Sequence, residues 1–359
     1  MSTTPINPEM IALARESRGL SQKDLAAALA VTQGAISRIE GALLPISEQL
    51  LQRLAESLHY PEEFFSLQDA VYGPSTSEFF HRKRQSAPSK ALTQLHAHLN
   101  IRRIHIARLM RSIEMENVRM ERFDPDEFYG DIEAIASAVR AAWMIAPGPI
   151  RNVTEVIENA GGFVILCNFG TRLIDAVSRW VPGLPPLFFV NENAPTDRAR
   201  WSLTHELGHI LMHQVPRPEM EAEADTFASA FLMPARDISH MLDFVSLPRL
   251  AQLKPHWKVS MAALLKRASD LGAVGPRQAR YLWMQIGKAG YRLREPPELD
   301  LPREEPTLLS RLLAVYKDDL GYGIGELAAL LRIHVDELME MYDLGDWGAQ
   351  GRPRVHAVR

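Results

Sequence analysis

Cysteine is nearly absent. The single one, Cys167, excludes an internal disulfide and any cysteine-built zinc finger. It follows Phe163-Val164-Ile165-Leu166, so it reads as a small buried hydrophobe rather than a nucleophile. Long apolar runs are missing as well: none approaches the ~20 residues needed to cross a bilayer, so no membrane partner is expected. The opening Met1-Ser2-Thr3-Thr4-Pro5 has no charged region leading into an apolar stretch, which argues against a signal peptide and for a cytoplasmic, nucleoid-associated protein. An excess of positive charge is lacking too. With a net charge of −4, any contact with nucleic acid must come from a local basic surface.

What is present suits a folded chain of several domains. Its 359 residues suggest two or three domains, and 46% hydrophobic against 23% charged residues is enough to bury real cores. From Pro8 to about Phe65 the pattern is helical with short turns. Met10, Ile11, Leu13 and Ala14 start one amphipathic helix, which Gly19 ends. Ser21 caps a second, with Asp24 three residues on, and Thr32 caps a third that Gly41 stops. A fourth runs from Ser47 to Leu58.

Gly73-Pro74-Ser75-Thr76-Ser77 is a linker by composition. Between residues 78 and 111 stand Arg82, Lys83, Arg84, Lys90, Arg102, Arg103, Arg108 and Arg111 against Glu78 alone, on a stretch that reads as a long helix from about Ser89. Two readings stand side by side: a solvated linker helix, or a second surface for DNA phosphates. From Asp126 the texture changes. Helices over 128–143 and 150–159 precede strand candidates at 163–166, 174–180 and 186–191. These predict a mainly α fold with a small antiparallel sheet (α+β), helical again to the end after Pro195. No internal repeat and no low-complexity tract is evident. The expected division is a helix-turn-helix domain over 1–70, a basic helical linker over 71–124, a catalytic domain over 125–295 and a C-terminal helical segment over 296–359.

The decisive stretch is His205-Glu206-Leu207-Gly208-His209, on a helix that Thr196 can cap. Residues four apart lie about 40° apart around a helix, so both imidazoles leave one face and can share a cation. Glu206 lies about 100° beyond His205, beside the metal, which suits a base that takes a proton from an attacking water. Leu203, Leu207 and Ile210 fall on the opposite side, which weakens the alternative that these are two core histidines.

A third ligand is expected on the next helix, over 218–233. The acids Glu219, Glu221, Glu223 and Asp225 crowd its start, where they would also simply steady the helix dipole. Glu221 and Asp225 share a stripe with Ala228 and Leu232, while Glu223 lies about 160° from Glu221. Glu221 is therefore the favoured ligand, Asp225 the acceptor for a ligating imidazole's N–H, and Glu223 the fallback. His213 continues the spacing of four but drifts off the metal face, which suits a supporting group. Two histidines and one glutamate, with a fourth position open, make the catalytic pattern for Zn2+.

Phe189-Val190-Asn191, the run Arg198 to His209 with His213, Glu221-Ala222-Glu223-Ala224-Asp225, Phe227-Ala228 and Leu232-Met233-Pro234 together resemble the ImmA/IrrE metallopeptidase family. The resemblance implies His205, His209 and Glu221 as metal ligands, Glu206 as catalytic base, and site-specific endoproteolysis of helix-turn-helix repressors. Residues 10–65 resemble the Cro/CI-type (XRE) helix-turn-helix domain, through 20–26 and 31–41. In such folds the second helix of the motif enters the major groove, which implies DNA contacts at Thr32, Gln33, Ser37 and Arg38, with Gln22 on backbone or base. The domain itself is nearly neutral, so a dimerisation or protein-binding module is the competing reading.

The expectation is therefore a DNA-binding regulator carrying a zinc endopeptidase that cleaves a repressor, itself or another regulator in a stress or phage-related response. A homodimer on a double-stranded operator would follow from paired half-sites. Two alternatives belong to other classes: a transcription factor whose peptidase-like domain only senses a ligand or metal, and an antitoxin-type regulator. The strand ending at Asn191 is the candidate edge for pairing with substrate.

Overall fold

A computed structural model describes residues 5–73, 89–115, 118–345 and Trp347. The predicted linker from Pro74 onward, with Glu78, Arg82, Lys83 and Arg84, lies outside these residues. The chain forms two compact units. One gathers the chain up to Gly73, the segment ending at Glu114 and the segment from Ser310; the other runs from Met115 to Leu309.

The first unit starts with four short helices, each begun by a side-chain cap. Asn7 opens Pro8–Ser17, Ser21 opens Gln22–Ala28 in a reciprocal box with Asp24, Thr32 opens Gln33–Glu40, and Ser47 opens Glu48–Leu58. Their apolar stripes meet in a core of Met10, Leu25, Ile36, Leu54, Phe64 and Phe65. Helix Ser89–Leu109 adds Ala97, Ile101 and Ile104 to that core. It is an interior helix, not a solvated rod. Arg103 is buried and donates to the Ala70 carbonyl, and Arg108 donates to the Leu330 carbonyl beside Asp69. Two of the arginines that invited a phosphate-binding reading, Arg103 and Arg108, are thus taken up by packing. The C-terminal helices Ile324–Leu331 and Val335–Tyr342 belong to this same unit.

The second unit holds helices Ile132–Ala142 and Val153–Asn159, then strands β1 (Phe163–Cys167), β2 (Ala176–Arg179) and β3 (Leu187–Asn191). The fold class is as expected, but the sheet is mixed, in the order β1-β3-β2. β2 and β3 form an antiparallel pair with Val177 beside Phe189, whereas β1 runs parallel to β3 with Ile165 beside Phe189. The reason is topological: the β2–β3 hairpin folds back so that β3 inserts beside β1. β3 is consequently the central strand, paired on both sides and fully buried, so it offers no edge to a substrate. The expectation of edge pairing at Asn191 is corrected on that ground. The strand also begins and ends as the apolar pattern demands; a strand buried on both faces reads as a continuous apolar run.

Helix Thr196–Met212 packs on β2, β3 and helix Met220–Leu232. Two buried ionic anchors, Arg200 and Asp197, fix its N-terminal half. Arg200 donates to the carbonyls of Ile150 and Lys258 and pairs with Glu304. Burial pushes this guanidinium down to about 10. Asp197 pairs with buried Lys254, which also donates to Glu295 at 2.6 Å. Gly208 lets the next helix come close: a Cβ there would stand 3.3 Å from the Ala224 Cα and 3.2 Å from Phe227. A side chain here would require the neighbouring helix to give by a few tenths of an ångström.

Candidate metal centre and DNA-reading surface

The close helix pair brings His205, His209 and Glu221 together. Their ligand-type atoms lie within 4.8 Å of one another, and all three residues are buried. Nε2 of His205 is 3.0 Å from Nε2 of His209, and a Glu221 carboxylate oxygen is 3.3 Å from the latter. The other Glu221 oxygen is 4.0 Å from His205 Nε2.

The outer ring nitrogens decide which lone pairs face inward. His205 Nδ1 is 2.8 Å from Asp225 Oδ1. A carboxylate accepts, so this nitrogen carries the proton and Nε2 presents a lone pair. His213 Nε2 is 2.9 Å from Glu223 Oε2, and His213 Nδ1 is 2.9 Å from His209 Nδ1. Burial, followed by the nearby His209 and Arg217, pushes His213 down to about 3, so it is neutral at physiological pH. With Nε2–H given to Glu223, its Nδ1 accepts from His209 Nδ1–H. His209 Nε2 is then a lone pair as well. Two imidazole lone pairs and a carboxylate therefore converge in a buried space, an arrangement that repels itself unless a cation stands among them. Zinc bonds of about 2.0–2.1 Å place tetrahedral ligand atoms about 3.3 Å apart, close to the spacings found here, so the residues fit zinc.

Glu206 follows His205 and is itself buried. Ser178, on β2, donates to its Oε2 at 2.5 Å. Nothing in the sequence marks Ser178, a lone serine in a short strand, and only the packing of β2 against the motif helix reveals it. Glu223, the fallback ligand, is turned away from the trio towards His213 and Arg217, the latter at 3.6 Å. Burial pushes its carboxyl upward against the pull of Arg217. Asp225 and His213 each touch a histidine of the trio.

In the first unit, Thr32, Gln33, Ser37 and Arg38 are exposed along the outward side of helix Gln33–Glu40. Gln33 does not stand alone. It donates to Gln22 Oε1 at 2.8 Å, Gln22 donates to Glu40 at 2.8 Å, and Glu40 accepts from buried Arg15 at 2.6 Å. Gln22 is thus half-buried behind Gln33, where it orients the amide that faces outward. A polar chain of this kind preorganises a reading side chain.

Residues 157–269 match the family model of the IrrE N-terminal-like domain, Peptidase_M78, and residues 11–65 match a helix-turn-helix model. A helix-turn-helix domain and an IrrE-like domain are joined in this chain. All three converging donors and Glu206 fall inside the IrrE-like match, and the five candidate DNA residues fall inside the other. No curated protein matches the chain. Among the described residues no helix is long and apolar enough to cross a membrane.

Proposed function

We propose that this protein is a DNA-binding regulator whose IrrE-like domain is a zinc-dependent endopeptidase acting on a protein, with a helix-turn-helix regulator or the chain itself as substrate. The observation that carries the reading is the convergence of two imidazole lone pairs and the Glu221 carboxylate beside a buried glutamate that is not among the donors. His205, His209 and Glu221 would hold the ion, while Asp225 and His213 keep both imidazoles in the ligating tautomer. Zinc, when bound, supplies Lewis acidity to the carbonyl under attack and to water. Glu206, steadied by the Ser178 hydroxyl, takes the proton from water and returns it to the departing amine. At the other end of the chain, Gln33 and Arg38 suit adenine and guanine edges, and Thr32 and Ser37 suit phosphate or base. A homodimer on paired half-sites, in the cytoplasm, completes the reading.

Comparing the protein N-termini of cells that express the wild-type chain with those expressing Glu206→Gln tests proteolysis directly. New termini confined to the wild type, in a regulator or in this chain, are the expected result. Identical termini under every inducing condition, with zinc present in both proteins, would leave a metal-holding sensor instead.

A further inference from the structure

The DNA-binding unit contains its helix-turn-helix backbone twice. Residues 323–342 can be laid on 21–40 without a gap, and the two stretches share several backbone bonds, although the side-chain caps of Ser21 and Thr32 have no counterpart at Gly323 and His334. Ser21 N–H donates to the Asp24 carboxylate at 2.9 Å, and Gly323 N–H donates to the Glu326 carboxylate at 2.8 Å. Helices Gln22–Ala28 and Gln33–Glu40 correspond to Ile324–Leu331 and Val335–Tyr342. The turn between them is the strongest likeness. Ala30 and Arg332 both sit in the left-handed region, at φ +50° and +58°, which few residues with a side chain adopt. Val31 N–H then bonds the Ala26 carbonyl at 2.9 Å, and Ile333 N–H bonds the Ala328 carbonyl at 3.1 Å. Leu25, Ala26 and Leu29 recur as Leu327, Ala328 and Leu331, buried in both places, and buried Ile36 is matched by buried Leu338. The expectation that the chain has no internal repeat is overturned here.

The two copies differ where DNA would be read. In place of Thr32, Gln33, Ser37 and Arg38 the second copy has His334, Val335, Met339 and Glu340. Asp336, Glu337 and Asp343 flank these, and no lysine or arginine stands between 335 and 343. A phosphate backbone is repelled by such a surface. Two of the acids instead meet bases of the first domain: Glu337 pairs with Arg18 at 2.5 Å and Asp336 with His59 at 3.0 Å.

We propose that 323–342 is a second helix-turn-helix element that has exchanged DNA for protein: its second helix docks on the Arg18 and His59 side of the first domain. Each chain then carries one DNA reader and one docked copy. The docking closes a chain path in which the whole IrrE-like domain lies between the two copies in sequence.

Two measurements on the full chain test this. A duplex is selected by the wild-type protein from a random-sequence pool, and affinity for it is compared among variants. Gln33→Ala should weaken binding about tenfold or more, whereas Val335→Ala and Glu340→Ala should stay within about twofold and select the same sequence. In parallel, hydrogen exchange is followed at the amides of 327–331. Glu337→Arg should speed it, the milder Glu337→Gln less so, and the Arg18→Glu/Glu337→Arg exchange of charges should restore protection. A new preferred sequence for Glu340→Ala, or unchanged exchange in Glu337→Arg, overturns the proposal. If no duplex is selected at all, the DNA-binding reading fails by itself, and the exchange result alone decides the docking.

Discussion

Both imidazoles of the candidate centre are committed through their outer nitrogens, one to Asp225 and one to His213. This is the feature that separates a metal site from a chance meeting of two histidines. An imidazole whose far nitrogen is held by a carboxylate is both oriented and made more basic. Asp225→Ala is therefore expected to weaken zinc binding by about 10- to 100-fold while leaving the fold intact, as a competition titration against a chelator would read. The sequence carried much of this. The spacing of four between the histidines, and the angle that sets Glu221 and Asp225 on one stripe with Glu223 behind, correspond to where those side chains stand. Ser178 escaped because its partner Glu206 is distant in sequence, and a single hydroxyl has no periodicity to betray it.

Among the elements, helices were legible in part from their caps: Ser21 and Thr32 cap helices as expected, whereas Thr196 is the first residue of its helix, after Pro195, and makes no side-chain cap. The sheet was less so, because alternation and length identify strands but do not say which strand lies in the middle. The helix Ser89–Leu109 shows the same limit from another side. Its arginines suggested solvent or phosphate, yet Arg103 and Arg108 spend their charge on carbonyls inside the unit. Two of its histidines offer a test. Burial, helped by the nearby Arg102, pushes His98 down to about 4 and His105 down to about 3. Unfolded, each takes up a proton near its ordinary value of 6.5. Protons thus favour the unfolded chain: the stabilisation is complete above about pH 6.5 and drains as pH falls towards 4. Each group contributes up to about 1.4 kcal/mol per pH unit across that window. Denaturant unfolding followed by a probe in this unit should show the loss beginning below pH 6.5, and His98→Gln with His105→Gln should flatten it. A midpoint constant from pH 7 to 4.5 would contradict the burial of these rings.

Across the whole molecule, the arrangement of the units was the least legible. Residues 310–345 look like an appendage to the domain they follow, yet they pack into the unit of the N-terminal helices. His105 meets Tyr342 at 2.8 Å and Tyr316 donates to the Leu109 carbonyl at 2.7 Å. Periodicity finds the apolar face of such helices but not the partner that covers it. The repeat at 323–342 was hidden for a related reason. What the two copies share is a handful of leucines and alanines, one acid at the start of the first helix and a left-handed turn, while the exposed face of the second helix has diverged. The IrrE-like match is accordingly bracketed in sequence by two parts of one compact unit, the one that carries the helix-turn-helix match.

The central claim is the zinc site, and the metal content of the purified full chain tests it most directly. Elemental analysis of the wild type beside Glu221→Ala and Glu206→Gln should find about one zinc per chain in the wild type and in Glu206→Gln, and a large loss in Glu221→Ala. A wild-type chain that takes up no zinc after loading, or a Glu221→Ala variant that retains it fully, would contradict the account.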